Sequence, residues 1–279
     1  MVQGASQRNA TSKLAIALVT EYFPLYPLPQ TCQNHYQLCT SLSILTKLSW
    51  PSPNMSNFTS TLHPYYPLGI AIPDYKANTI STLEIFAIFA TACSGALLLA
   101  LFFIRAVRPQ ISTGELSRAL WFMLCGSIHL VLEGHFALNH VAGSNAVLSQ
   151  LWKEYSLSDS RYLTRDAFMV CMETITAFAW GPLSFLLVYL IATAHPAQHF
   201  VQTVVSLGQL YGDVLYYATF FHEELLRGIE FSRPEGYYFY GYMVLMNAFW
   251  IVIPGLLLAQ SGVATVQAFA RAGKMAKRD

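Results

Sequence analysis

Three ionisable side chains sit where an apolar chain can least accommodate them. Glu173 lies in the run Val170-Cys-Met-Glu-Thr-Ile-Thr-Ala-Phe-Ala-Trp180, and Glu133 lies in a second apolar run, with His129 four residues before it. Placing a charge in hydrocarbon costs about 3 kcal/mol or more, so such residues face a protein interior or a polar cavity and mark function. Residues i and i+4 share a helix face, so Glu133 can hold His129 in one tautomer or exchange a proton with it. Glu173 and Thr176 are spaced i, i+3, and Trp180 follows at i+7, lining one face with carboxylate, hydroxyl and indole. Asn247 and Trp250 repeat the i, i+3 spacing, and a desolvated indole face stabilises a cation by about 2 kcal/mol. Together these groups read as proton chemistry on an apolar substrate. Each also has a plain structural counterpart: a tie between helices for His129 and Glu133, a packed polar contact for Glu173, and an interhelical hydrogen bond for Asn247.

The elements that position these groups follow from hydropathy. Apolar residues make up 54% of the 279-residue chain and charged residues only 11%, against about 25% charged in ordinary soluble domains. The net charge of +1 offers no basic field for nucleic acid. Five apolar stretches are long enough to span a bilayer: Ile80 to Phe103, Leu116 to Leu138, Asp166 to Thr193, Phe200 to Phe221, and Tyr237 to Leu258. The predicted architecture is an all-α membrane protein, a bundle of five transmembrane helices. The connection from Asn139 to Arg165 reads as a lid or a short surface helix. Pro182 and Pro254 are expected to kink their spans. Residues 1–54 show no sustained period and read as a disordered extension or a gene-model artefact, with the functional chain starting near Met55. Residues 55–79 form a pre-membrane segment, 80–260 the helical domain, and 261–279 a basic tail. Arg105, Arg108, Arg271, Lys274, Lys277 and Arg278 cluster beside span ends on one side, which favours a cytosolic C-terminus.

The fourth stretch carries Gly208-Gln-Leu-Tyr-Gly212, a spacing for close helix approach. Asp213, four residues after Gln209, is a third acid, expected to anchor a neighbouring backbone or the tyrosines. His129 and Glu133 supply two metal ligands and Glu173 a third, with no fourth in view. The five cysteines have no metal spacing, and no phosphate loop or dinucleotide fingerprint occurs. The expected reaction uses neither metal nor cofactor.

Seven blocks carry a resemblance. They are Gly126-Ser-Ile-His-Leu-Val-Leu-Glu-Gly134, Leu148-Ser-Gln-Leu-Trp-Lys-Glu-Tyr155, Asp159-Ser-Arg-Tyr162, Val170-Cys-Met-Glu-Thr-Ile-Thr-Ala177, Trp180-Gly-Pro-Leu-Ser184, Gly208-Gln-Leu-Tyr-Gly-Asp-Val-Leu-Tyr216 and Met246-Asn-Ala-Phe-Trp250. In this order they resemble the emopamil-binding protein family, the sterol Δ8–Δ7 isomerases of EXPERA type, from near Leu62 to about Leu258. The resemblance implies a five-helix bundle of the endoplasmic reticulum membrane with a sterol cavity open to the bilayer. It implies transposition of a ring double bond from C8–C9 to C7–C8. It maps the essential residues onto His129, Glu133, Glu173, Thr176, Asn247 and Trp250. His129, oriented by Glu133, is assigned to protonation at C9. Glu173 is assigned to stabilising the C8 cation and removing the C7 proton, and these acid and base labels are exchangeable. Thr176 and Asn247 are expected to orient the groups, and Trp250 to face the cation. Trp180, Tyr162, Tyr211 and Asp213 are the expected substrate contacts. The implied partners are a sterol drawn from the bilayer, membrane lipids, cationic amphiphilic amines that mimic the cation, and a second copy in a homodimer. Two alternatives stand beside this reading: a non-catalytic sterol or amine receptor of the same superfamily, and an isomerase acting on a specialised steroid or triterpenoid.

Overall fold

A computed structural model describes residues 63–276. The reading of residues 1–54 lies outside them, as do the start of the pre-membrane segment and the last three residues of the tail. The described residues are helical, in the order α1 (Thr82–Val107), α2 (Thr113–Leu138), α3 (Val147–Tyr155), α4 (Ala167–Ala192), α5 (Gln198–Arg227) and α6 (Tyr237–Met275). Short 3₁₀ turns at Val141–Gly143 and Ser160–Tyr162 flank α3.

Local chemistry sets the helix starts. Ser81 and Glu84 form a capping box at α1, and Ser112 and Glu115 form one at α2, each pair satisfying orphan amides reciprocally. Glu115 also takes a two-armed ion pair from Arg108, at 2.8 and 2.9 Å, which pins the turn between the two helices. Helices α1, α2, α4 and α6 are long and apolar enough to cross a membrane. The stretch expected as the fourth span is α5, whose polar side chains lower its hydropathy. Gln202, Ser206 and Gln209 of α5 are buried against neighbouring helices.

Two departures concern length and place. The last helix continues through Pro254 to Met275, so much of the expected basic tail is helix. The connection between α2 and α4 is not the surface helix expected of it: Gln150, Lys153, Glu154, Asp159 and Arg161 are all buried. Gln150 and Lys153 serve the backbone of the segment leading into α1. Gln150 accepts from the amides of Thr79 and Ile80, and Lys153 Nζ donates to the carbonyls of Lys76 and Ser144 at 2.8 and 2.9 Å. Burial, with Lys76 nearby, brings the Lys153 amine down to about 8. Asp159 grips Arg161 through three bonds of 2.6–3.0 Å, and Arg161 reaches Thr219 on α5. The connection is thus a buried cap over one end of the bundle.

Three of the long helices depart from α-geometry, at Ile128–Glu133, Thr176–Trp180 and Tyr237–Met246, where each becomes a π-helix. The causes are local. Pro182 follows the second π-segment and has no N–H to return to Phe178. In the third, Tyr217 donates to the carbonyls of Met243 and Val244, and Asn247 donates to that of Met243. In the first, the Trp152 indole takes the carbonyl of Leu132. Side chains that draw carbonyls away from the helical ladder distort it in this way.

Candidate active site

Each π-segment borders the chemistry-bearing residues. His129 and Glu133 lie inside the first, Thr176 and Trp180 begin and end the second with Glu173 one turn before, and Asn247 directly follows the third. All six, with Trp250, line one cavity of about 740 Å³ between the helices. That volume is in the range of small-molecule sites. Its walls are mainly aromatic and aliphatic, including Phe86 and Phe89 of α1, Trp121 of α2 and Ile253 of α6.

Inside this wall the polar atoms form two short chains. His129, 2% exposed, has Nδ1 2.9 Å from both carboxylate oxygens of Glu133. Its Nε2 lies 3.0 Å from the amide nitrogen of Gln209 on α5. Beside Glu133, Glu173 accepts a 2.9 Å hydrogen bond from Tyr162 of the cap. Burial pushes the Tyr162 phenol up, so it stays a proton-bearing donor. The ionisable neighbours of Glu173 are Glu133 and His129.

The expected orienting contacts are made by other residues. Thr176 Oγ1 returns to the carbonyl of Met172, and Asn247 donates to Tyr155 and Met243. Neither has a hydrogen bond to His129, Glu133 or Glu173; Gln209 holds the first and Tyr162 the last. Trp250 packs with ring centroids 6.5 Å from His129 and 5.6 Å from Trp121. Asp213 lines the cavity, and its buried Oδ2 has no partner among the described residues, so the anchoring contact expected of it is not made.

Tyr211 is the one expected substrate contact that the fold leaves outside: it is 64% exposed and does not line the cavity. Gly208, Gln209, Gly212, Asp213 and Tyr216 occupy the inner face of α5. Position 211 is about 200° from 209 around a helix with 3.6 residues per turn. Gly208 seats Trp180, since a Cβ there would lie 2.5 Å from the indole, whereas Gly212 has nothing within 4 Å of that position and opens on the cavity. The close helix approach expected at both glycines is a ring seat at one and free space at the other. Gln209, noted in the sequence only for its spacing to Asp213, and Tyr155 are contributors whose partners spacing did not show: a neutral amide and a phenol show no charge anomaly, and only the fold reveals what they bond to.

Comparison with known proteins identifies the family. The family model described as EBP: EXPERA (EXPanded EBP superfamily) matches residues 147–261. That span takes in Glu173, Thr176, Asn247 and Trp250, while His129 and Glu133 precede it. Over 207 residues the chain is 42% identical to the 3-beta-hydroxysteroid-Delta(8),Delta(7)-isomerase of Mus musculus, covering 73% of this chain and 89% of the relative. The protein of the same name in Cavia porcellus is 40% identical with the same coverage. Isomeliandiol synthase of Ailanthus altissima is 37% identical over 140 residues, 49% of this chain and 64% of that protein.

Proposed function

The chain belongs to the EXPERA family, and from that premise we propose that it is a 3β-hydroxysteroid Δ8–Δ7 isomerase. The observation that supports this best is the pairing, in one apolar cavity, of a histidine–carboxylate dyad with a second buried carboxyl. Moving an isolated alkene needs one proton added and another removed, with a tertiary cation between.

In this reading the His129–Glu133 pair delivers a proton to C9. Both ring nitrogens of His129 are engaged, so the proton leaves through Glu133, whose side chain borders the cavity. The C8 cation that results lies between Glu173 and the face of Trp250. A preorganised carboxylate in a water-poor site is the largest available stabilising term, and the indole adds to it. Glu173 then takes the proton from C7. Passing one proton from Glu173 back to Glu133 restores the starting state, so the cycle consumes nothing. Tyr162 holds Glu173, Thr176 and Asn247 shape the wall, and Asp213 offers its unpaired oxygen to a substrate hydroxyl. Cationic amphiphilic amines with apolar wings should occupy the same space as intermediate analogues.

Helix α5 completes a five-span, multi-pass protein of the endoplasmic reticulum in this reading. Its 30 residues rise about 45 Å, and its polar residues turn inward. The likeness to isomeliandiol synthase supports one variation, an isomerase whose shape-selective cavity takes a triterpenoid.

Expression of the full chain in yeast lacking its own sterol isomerase should convert the accumulated Δ8-sterols to Δ7-sterols. In D₂O, turnover by membranes carrying the protein should place one deuterium at C9, because the added proton comes from an exchangeable pool. A Δ7 product without deuterium would point to an internal hydrogen shift and remove the acid–base reading.

A further inference from the structure

Glycine inside a helix gives up more conformational freedom than any other residue, so it is kept there for a reason. In apolar helices the usual reason is the close approach of a neighbour. Helix α5 holds two glycines, Gly208 and Gly212. Gly208 has such a neighbour in the Trp180 indole. Gly212 has none: beyond its own helix backbone and chain neighbours, nothing among the described residues lies within 4 Å of its missing Cβ. Nor does its backbone need glycine, since the glycines with positive φ among the described residues are Gly69 and Gly228.

The space over Gly212 faces inward. Position 212 falls three residues after Gln209 and four before Tyr216, on the helix face that these two buried residues share. All three line the cavity, whereas Leu207, Tyr211 and Val214 on the outer face are 47–64% exposed. Along α5 the gap is bracketed by two rings: Trp180, seated on Gly208 one turn before, and Tyr216 one turn after. The result is a slot with aromatic sides and a floor of bare backbone. Gln209, one turn from Gly212, bonds to His129, so the slot lies beside the dyad.

We propose that Gly212 is a specificity-determining residue, and that the fused-ring nucleus of the sterol fills the space left by its absent side chain. This rests on the isomerase reading and adds to it the wall against which the nucleus lies. A backbone floor lets a flat ring system come closer to a helix than any side chain allows. A rigid tetracycle cannot bend away from a group added at that floor, and the flanking rings leave it no sideways escape. A single methyl group in an apolar site changes discrimination by about tenfold or more.

The test uses the full chain in lipid nanodiscs, as wild type, Gly212→Ala, Gly212→Val and Gly95→Ala. Gly95, inside α1, also has nothing within 4 Å of its missing Cβ, but it does not line the cavity. Without ligand, both alanine variants should melt at or above the wild-type temperature, because alanine is the better helix former. Affinity for a neutral Δ8-sterol is read from the rise in melting temperature with sterol concentration. It should fall about tenfold in Gly212→Ala, and further in Gly212→Val, while Gly95→Ala stays within about twofold of wild type. KM should rise in step with the loss of affinity. Unchanged sterol affinity in Gly212→Ala would overturn the proposal. So would a ligand-free Gly212→Ala that melts below wild type, because the glycine would then serve packing, and so would a wild type that binds no sterol. A wild type that binds the sterol without isomerising it would remove the isomerase reading alone, and the affinities would still decide the role of Gly212.

Discussion

Replacing Glu173 by glutamine is expected to lower turnover by about 10²–10⁴-fold, the usual effect of losing a proton-transfer group, while the protein still folds. Glu133→Gln is expected to do the same. The amide keeps the volume of the carboxylate and a carbonyl oxygen, so Tyr162 can still donate at 173 and His129 Nδ1 can still donate at 133. What each variant loses is the charge and the exchangeable proton. The two should differ in detail. Glu173→Gln leaves the chain from Gln209 through His129 to Glu133 intact, so it should still bind a neutral sterol and fail at deprotonation. Glu133→Gln cuts the path by which the buried ring reaches the cavity. The measurements are initial rates with a Δ8-sterol and melting curves in detergent. Near-normal rates in both variants would sink the carboxylate mechanism.

Asp159→Ala is expected to cost about 3–5 kcal/mol of stability, the range for stranding one member of a buried ion pair. Asp159 is fully buried, and Arg161 is 3% exposed. Burial works against the Arg161 charge, and Asp159 more than offsets it, so the guanidinium is held more firmly protonated than usual. Without Asp159 the cation keeps Thr219 and the faces of Tyr216, Phe220 and Phe231, at 5.3–5.4 Å, as partners. Tyr162 adjoins this pair in sequence and holds Glu173, so loosening the cap should also reduce turnover. Asp159→Ala combined with Arg161→Leu removes both charges and should recover much of the lost stability. A melting temperature for Asp159→Ala within a degree or two of wild type, or a double variant worse than the single, would show that the pair does not hold the cap.

Much of this was legible before any coordinates. The long apolar stretches coincide with helices, and ionisable residues inside them could only be placed in a polar enclosure. What could not be read falls into four physical kinds. Polarity alone cannot tell whether a group is solvated or is serving buried backbone, so the stretch from Asn139 to Arg165 read as surface, although Gln150 and Lys153 bind the segment entering α1. Neutral polar groups leave no periodic or electrostatic signal, which is why Gln209 went unrecognised as a partner of His129 and Tyr155 as a partner of Asn247. A motif does not show its own inner face: Tyr211 stands between Gln209 and Asp213 in sequence and points away from both. The helical end of α6 was missed because hydropathy falls after Leu258 while nothing there stops a helix.

The π-segments have a consequence for how this chain tolerates gaps. A π-turn carries one residue more than an α-helix uses for the same stretch, so it is an insertion already absorbed by the fold. Deleting a residue from an ordinary span turns everything downstream by about 100° and drives outward-facing side chains into the bundle. Deleting Leu130 from α2 should do the reverse. The turn closes to α-geometry, and Phe122 before it and Phe136 after it keep their alignment with the core. His129 and Glu133 then become i, i+3 neighbours and lose their present contact. This deletion is expected to accumulate and melt close to wild type while losing turnover. Deletion of Leu124, in the α-helical part of the same span, should fail to accumulate. Equal damage from both deletions would show that the turn is not a spare residue. Catalysis in this architecture can then be lost with a single codon while the bundle remains, leaving an empty apolar cavity free for another ligand.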